Sequence, residues 1–402
     1  MGILKLSPDG PARRSSSVGL SLILLAAIFS GCGRAADSTL PPPPSTAAPS
    51  AFIITGDFET GSYAVMETRD PAAVAADLGP VHGDAVARTY GGEVFVINRF
   101  GADSIQKIAP AAGWTTRYQC SVGNGSNPHD MVFVSPTKAY VTRYEETSIA
   151  IVNPSVNATC DGFLVGEIDL GSFADADGIP EMDQMILVED RLFVSLQRLD
   201  RNQFFEPTAE SFLVVIDTRT DLLIDTRPET LATDPIQLTW TNPLADSRGL
   251  ALDPATGDII VSQVGSFGKI GDGGVETINP YTFQRSRILI EESDIGRNIT
   301  DFVMIDGRRA WALVTDESFR NFVIQIDTSL REETLSIFES DAYLTNIEFD
   351  APNNSIWLSD RSFQNAGIRI FSADDGRGIE DPPIATGLAP IDILFLDPMR
   401  AD

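Results

Sequence analysis

Basic side chains are the scarce component of this chain: 29 Lys and Arg stand against 57 Asp and Glu, a formal net charge of −28. Phosphate backbones are held by clustered Lys and Arg, so the deficit excludes a nucleic-acid binder. It equally excludes adhesion to anionic lipid through a basic surface. Histidine occurs twice and cysteine three times. There is no Gly-x-Ser-x-Gly elbow, and no cysteine–histidine pair suits a nucleophile. Glycine-rich pieces such as Gly271-Asp272-Gly273-Gly274 lack the Lys-Ser or Lys-Thr of a phosphate loop and read as turns. No long stretch after Phe52 holds helical periodicity. What remains is an acidic globular chain with 43% hydrophobic residues, enough for a substantial core.

The most informative feature present is a repeat. Short apolar strands open on a polar residue at Asp84, Asp130, Asp183, Arg248, Asp301, Asn346 and Asp392, at spacings of 45 to 65 residues. A unit recurring at that period must stack with its copies to bury its faces. The third unit shows the plan: strands over Asp130–Val134, Ala139–Arg143, Ser148–Val152 and Phe163–Leu170, separated by short turns. Four antiparallel strands so joined make a propeller blade.

Tyr140-Val141-Thr142-Arg143 resembles the second strand of the YVTN-repeat seven-bladed β-propellers, with arginine in place of the final asparagine. Phe193-Val194-Ser195-Leu196 and Ile260-Val261-Ser262-Gln263 are looser copies, and Ile216-Asp217-Thr218 and Ile326-Asp327-Thr328 are similar to the family's third-strand ending. The resemblance covers residues 52–397 and implies an all-β fold of seven four-stranded antiparallel blades. Phe52–Gly56 and Ser62–Glu67 have no inner strand of their own, whereas Ile391–Leu396 is an inner strand with no blade after it. The last strand is therefore expected to complete the first blade, which removes the sheet edges that invite aggregation.

Residues 1–31 read as a signal peptide: Lys5, Arg13 and Arg14 precede the apolar run Val18–Phe29. Phe29-Ser30-Gly31-Cys32 resembles a bacterial lipoprotein signal, which implies lipidation at Cys32; the alternative is ordinary secretion with cleavage near Ala35-Ala36. Gly33 after that cysteine implies sorting to the outer membrane. Residues 32–51, with Pro41 to Pro44, form a semi-rigid tether, leaving 52–402 as the propeller. Cys120 and Cys160 remain in the exported part and are expected to pair across neighbouring blades, the alternative being two free thiols.

Equivalent positions of a closed array lie on a ring, so Asp84, Asp130, Asp183, Asp301 and Asp392, with Arg248 and Asn346, should gather at one mouth of the central channel. Two readings stand. The carboxylates accept backbone N–H groups and hold the blades in register, or they bind a hard cation such as Ca²⁺. His82 and His129 sit at adjacent openings and form a possible polar pair for a transition metal or for acid–base work. Asp175-Ala176-Asp177-Gly178 lacks the remaining ligands of a calcium loop and reads as a polar turn. Phe204 and Phe205, on a polar loop of the longest unit, form a candidate binding tip.

The function these features point to is a non-catalytic, lipid-anchored cell-envelope scaffold that binds a small ligand or an envelope protein. The alternative is a calcium-dependent hydrolase, lactonase-like, with its site at the channel mouth. A quinone-dependent dehydrogenase is weaker, because Trp114, Trp240, Trp311 and Trp357 show no repeated docking pattern.

Overall fold

Strand segments of two to nine residues, most of them buried on both faces and broken by polar turns, pair in chain order into antiparallel sheets. The computed structural model describes residues 49–243 and 250–396, and these form seven such sheets, each one blade. Blade 2 is typical: Ala85–Tyr90, Glu93–Asn98, Ser104–Ala109 and Thr115–Ser121 run from the channel outward. Blade 3 follows the expected plan closely, as Pro128–Ser135, Lys138–Arg143, Ser148–Val152 and Leu164–Asp169. In blade 7 three strands pair, and isolated bridges from Ile384 to Ile368 and from Gly378 to Phe371 line its outer edge.

Closure occurs as the sequence suggests. Pro390–Leu396 lies antiparallel to Ser50–Gly56, with Asp392 opposite Ile54 and Leu396 opposite Ser50. The C-terminal strand thus becomes the inner strand of blade 1. The hydrophobic core is divided in the same way, into seven buried clusters that each fill one gap between neighbouring blades. The cluster between blades 7 and 1 contains Trp357, Ile53 and Ile393, so residues from both ends of the described chain share one core.

Cys120, on the outer strand of blade 2, is bonded to Cys160, in the turn before the outer strand of blade 3, with the Cα atoms 5.6 Å apart. The bridge staples two blades at their rim. Chain-entropy arithmetic assigns a loop of this length about 3–4 kcal/mol.

In every blade the inner strand begins on the same face where the second strand ends. The loops joining second and third strands therefore surround the start of the inner strands. This mouth face carries the candidate site.

Candidate functional site

Most inner strands begin with an irregularity. In blade 3, Met131 lies opposite Val141 but Pro128 lies opposite Arg143, so the inner strand carries one residue more than its partner. The same insertion precedes Met185, Asp301 and Ile347 in blades 4, 6 and 7, and Asp392 in blade 1. A bulge re-aims a side chain and frees backbone amides. Here the hydroxyl of the YVTN-like second strand takes one of them: Thr142 Oγ1 accepts from Asp130 N at 2.8 Å, and Ser195 Oγ accepts from Gln184 N at 3.0 Å. Thr142 then donates to the Asp183 carbonyl at 2.7 Å, tying blade 3 to blade 4.

The re-aimed residues bind the next blade. Asp130 Oδ2 accepts from Met185 N at 2.7 Å, Asp301 Oδ2 from Ile347 N at 2.9 Å, Asn346 Oδ1 from Ile393 N at 3.0 Å, and Asp392 Oδ2 from Ala87 N at 2.8 Å. Each acceptor is almost wholly buried. These four positions behave as the register-holding reading requires.

The other expected ring members depart from it. In blade 4 the equivalent position is Gln184, and Asp183 sits one residue earlier. In blade 2 the inner strand has no bulge, from Ala85 opposite Asn98 to Tyr90 opposite Glu93. Asp84 consequently falls before the strand and pairs with Arg99 at 2.5 Å. Arg248 lies outside the described residues, as does Cys32. The expectation of five aspartates at one register is corrected accordingly.

A cation cage from these residues fits poorly. Both oxygens of Asp130 are taken, since Oδ1 also accepts from Arg88 Nε at 2.7 Å and from its own neighbour Met131 N. Arg88 further donates to Gln184 Oε1 at 3.1 Å, so a guanidinium supplies the positive charge at this part of the channel. Among the described residues, Asp84, Asp130, Asp183, Asp301 and Asp392 form no trio with oxygens close enough to share an ion.

The trio that does come together is Asp175, Asp177 and Glu181, in the connection from blade 3 to blade 4. Asp175 and Asp177 each accept a backbone N–H two residues on, as a polar turn does. The charge beside them is Arg201, from the long loop of blade 4. Arg201 Nε donates to Glu181 Oε1 at 2.8 Å, its backbone N–H to Asp177 Oδ2 at 2.9 Å, and its guanidinium also pairs with Glu145. Burial pushes the Glu181 carboxyl up to about 7, with Arg201 opposing that rise.

Beside this network lies the one histidine–carboxylate contact of the mouth among the described residues. His129 Nδ1 donates to the buried Asp183 Oδ1 at 2.8 Å, and its ring stacks on Tyr144 with centroids 4.2 Å apart. Tyr144 donates to Gln197 Oε1 at 2.7 Å; burial first, then Asp183 and Glu181, raise its phenol above the usual range. His82 is engaged elsewhere, through Nδ1 with the backbone of Asp84. The histidines are thus held by different partners and do not act as a pair.

Around the mouth, every second-to-third-strand loop carries an aromatic residue. Blade 3 uses the half-buried Tyr144. The other six blades present phenylalanine to solvent: Phe58, Phe100, the Phe204-Phe205 tip, Phe267, Phe319 and Phe363. Among the described residues these are all of the exposed phenylalanines. Two adjoining grooves run between them. One, of about 730 Å³, is lined by Phe58, Tyr343 and Phe363; the other, of about 220 Å³, by Phe267, Phe319 and the same Tyr343. Sequence reasoning singled out only the Phe204-Phe205 tip. The signal for the rest was present, as an aromatic a few residues after each second strand.

No protein-family model matches the chain, and no curated protein matches it. Solved structures do. A protein from Bacteroides fragilis named as a candidate 6-phosphogluconolactonase shares 14% identity, with 88% of this chain and 100% of that one covered and a TM-score of 0.59. A Lactobacillus plantarum protein shares 13% identity over 87% and 99% of the two chains, also with a TM-score of 0.59. Apo AztD from Citrobacter koseri shares 16% identity over 87% and 98%, with a TM-score of 0.50. At these identities the likeness shows the propeller fold alone.

Proposed function

We propose that this chain is a lipid-anchored cell-envelope β-propeller that binds a ligand or protein partner on its mouth face and catalyses no reaction of its own. The observation that carries this reading is the aromatic residue in every second-to-third loop, exposed in six blades of seven. Exposed apolar side chains gathered on one face mark interaction surfaces, whereas singly scattered ones do not. The channel beneath supports the same reading, because Asp130 is engaged through both oxygens and Asp301 and Asp392 each give one oxygen to a backbone amide of the next blade. The anchor at Cys32 and the outer-membrane address rest on the sequence.

One observation favours a second reading. His129, oriented through Nδ1 by buried Asp183, has the arrangement of a general base, and two solved neighbours are named as candidate 6-phosphogluconolactonases. Against a phosphorylated lactone as substrate, three arginines at this mouth, Arg88, Arg99 and Arg201, are already paired with carboxylates.

The test combines cross-linking in intact cells with a panel of lactones and esters. Wild-type protein should give a discrete cross-linked species that Phe204→Ser/Phe363→Ser removes, and no turnover. Turnover abolished by His129→Gln, with cross-linking indifferent to the phenylalanines, overturns the binding reading in favour of a hydrolase.

A further inference from the structure

Exposed carboxylates accompany the aromatic rim. Asp57 and Glu59 flank Phe58, Glu206 follows Phe205, Glu317 lies two residues before Phe319, and Asp341 borders both grooves beside Tyr343. Asp57, Glu59, Glu206, Glu317 and Asp341 are all solvent-exposed. Among the described residues, the following basic groups of the same face are engaged internally. Arg99 pairs with Asp84, Arg201 with Glu181 and Glu145, Arg320 with Asp316, and Lys269 with Asp272. Arg361 lies over the Phe58 ring at 4.6 Å and donates to the carbonyls of Gly56 and Pro390. Asp341 makes no ion pair among the described residues.

The rim is also held in a backbone state that its side chains disfavour. Phe58, Phe204, Phe205 and Phe319 have φ of 70°, 61°, 61° and 59°, the left-handed region that glycine and asparagine adopt readily and bulky residues do not. A bulky apolar residue placed there, and then exposed to water, lowers stability twice over. Strain of this kind persists where a site needs it.

From these observations, and resting on the binding reading above, we infer that the mouth face docks a cationic, apolar-faced polypeptide segment of another protein. Its Lys or Arg side chains meet the aromatic faces and the unpaired carboxylates, an arrangement in which cation–π attraction and charge act together. Its apolar side chains enter the grooves between Phe58, Tyr343 and Phe363 and between Phe267 and Phe319. A second copy of this chain is disfavoured by like charge, and anionic lipid for the same reason.

The probe is a fluorescent amphipathic peptide of leucine and lysine, compared by anisotropy with a leucine–glutamate and a leucine–glutamine peptide of equal length. Proteins are wild type, Phe204→Ser/Phe319→Ser/Phe363→Ser, and an opposite-face control, Leu222→Ser/Leu330→Ser. The lysine peptide should bind wild type and the control equally and the phenylalanine variant at least tenfold more weakly, with binding reduced at 0.5 M salt. Phe319→Asn should weaken binding while keeping or raising Tm, which separates loss of contact from loss of fold. If no peptide depends on the phenylalanines, the binding face itself is overturned. If the glutamate or glutamine peptide, a soluble glycan or zwitterionic vesicles bind in a phenylalanine-dependent way instead, the face stands and the cationic partner falls.

Discussion

Two aspartates that look alike in sequence do different work. Asp130 follows an inserted residue, turns inward and accepts from Met131 N, Met185 N and Arg88 while almost wholly buried. Asp84 precedes an unbulged strand and makes its pair with Arg99 at the partly exposed edge of the mouth. Removing Asp130 takes one of its acceptors from the Arg88 guanidinium and the acceptor of Met185 N on the neighbouring blade, so Asp130→Ala should lower stability by about 2–4 kcal/mol. Asp84→Ala should cost less, about 1 kcal/mol, because water reaches this pair in part and screens it. Urea unfolding of both variants checks this, and equal losses would remove the distinction drawn between them. The recurrence of aspartate was legible because five of the seven strand openings carry it. The bulge was not, since nothing in Met182-Asp183-Gln184-Met185 reveals which residue will face the next blade.

At the scale of the strand, closure and its motif were readable. The unmatched Ile391–Leu396 announced a strand without a blade, and it pairs with Ser50–Gly56 over their length. Ile393 and Leu394 are buried there, in the clusters on either side of blade 1. Deleting residues 390–402 exposes both clusters and the edge of Ser50–Gly56, so the truncated protein should fail to give a cooperative melt and should aggregate. A soluble truncation with unchanged Tm would contradict closure by this strand. The hydroxyl of the YVTN-like strand has a physical reason as well: Thr142 and Ser195 accept the amide that the bulge leaves over. The loop aromatics were equally present in the sequence. They were harder to see because loops differ in length between blades, so no fixed offset from the repeat marks them.

For the whole molecule, charge decides the response to pH. Burial pushes Glu181 and Glu292 up to about 7, against Arg201 for the first and backbone amides of Ile299, Gly271 and Gly273 for the second. Their unfolded counterparts ionise near 4.5, so the folded protein holds more protons between 4.5 and 7 and loses stability as pH rises through that window. Hydrogen bonds from Arg219 and Arg308 hold Asp217 and Asp327 below the usual range, a contribution lost only as pH falls below about 4. Thermal stability should therefore be greatest on the mildly acidic side, near pH 5, and decline toward pH 8. Melting curves across that range test it, and a Tm that rises from pH 6 to 8 would refute it.

The sequence alone determined the class and number of the repeats and the closing strand, because these are carried by periodicity and by an unmatched element; it left Cys120 and Cys160 as either a bridge or two free thiols, and the structure bonds them. Only the tertiary structure decided which polar residues face the channel and which loops share a face. A one-residue bulge reverses a side chain without altering the pattern of apolar residues, and loops far apart in the chain become neighbours only once the ring has closed.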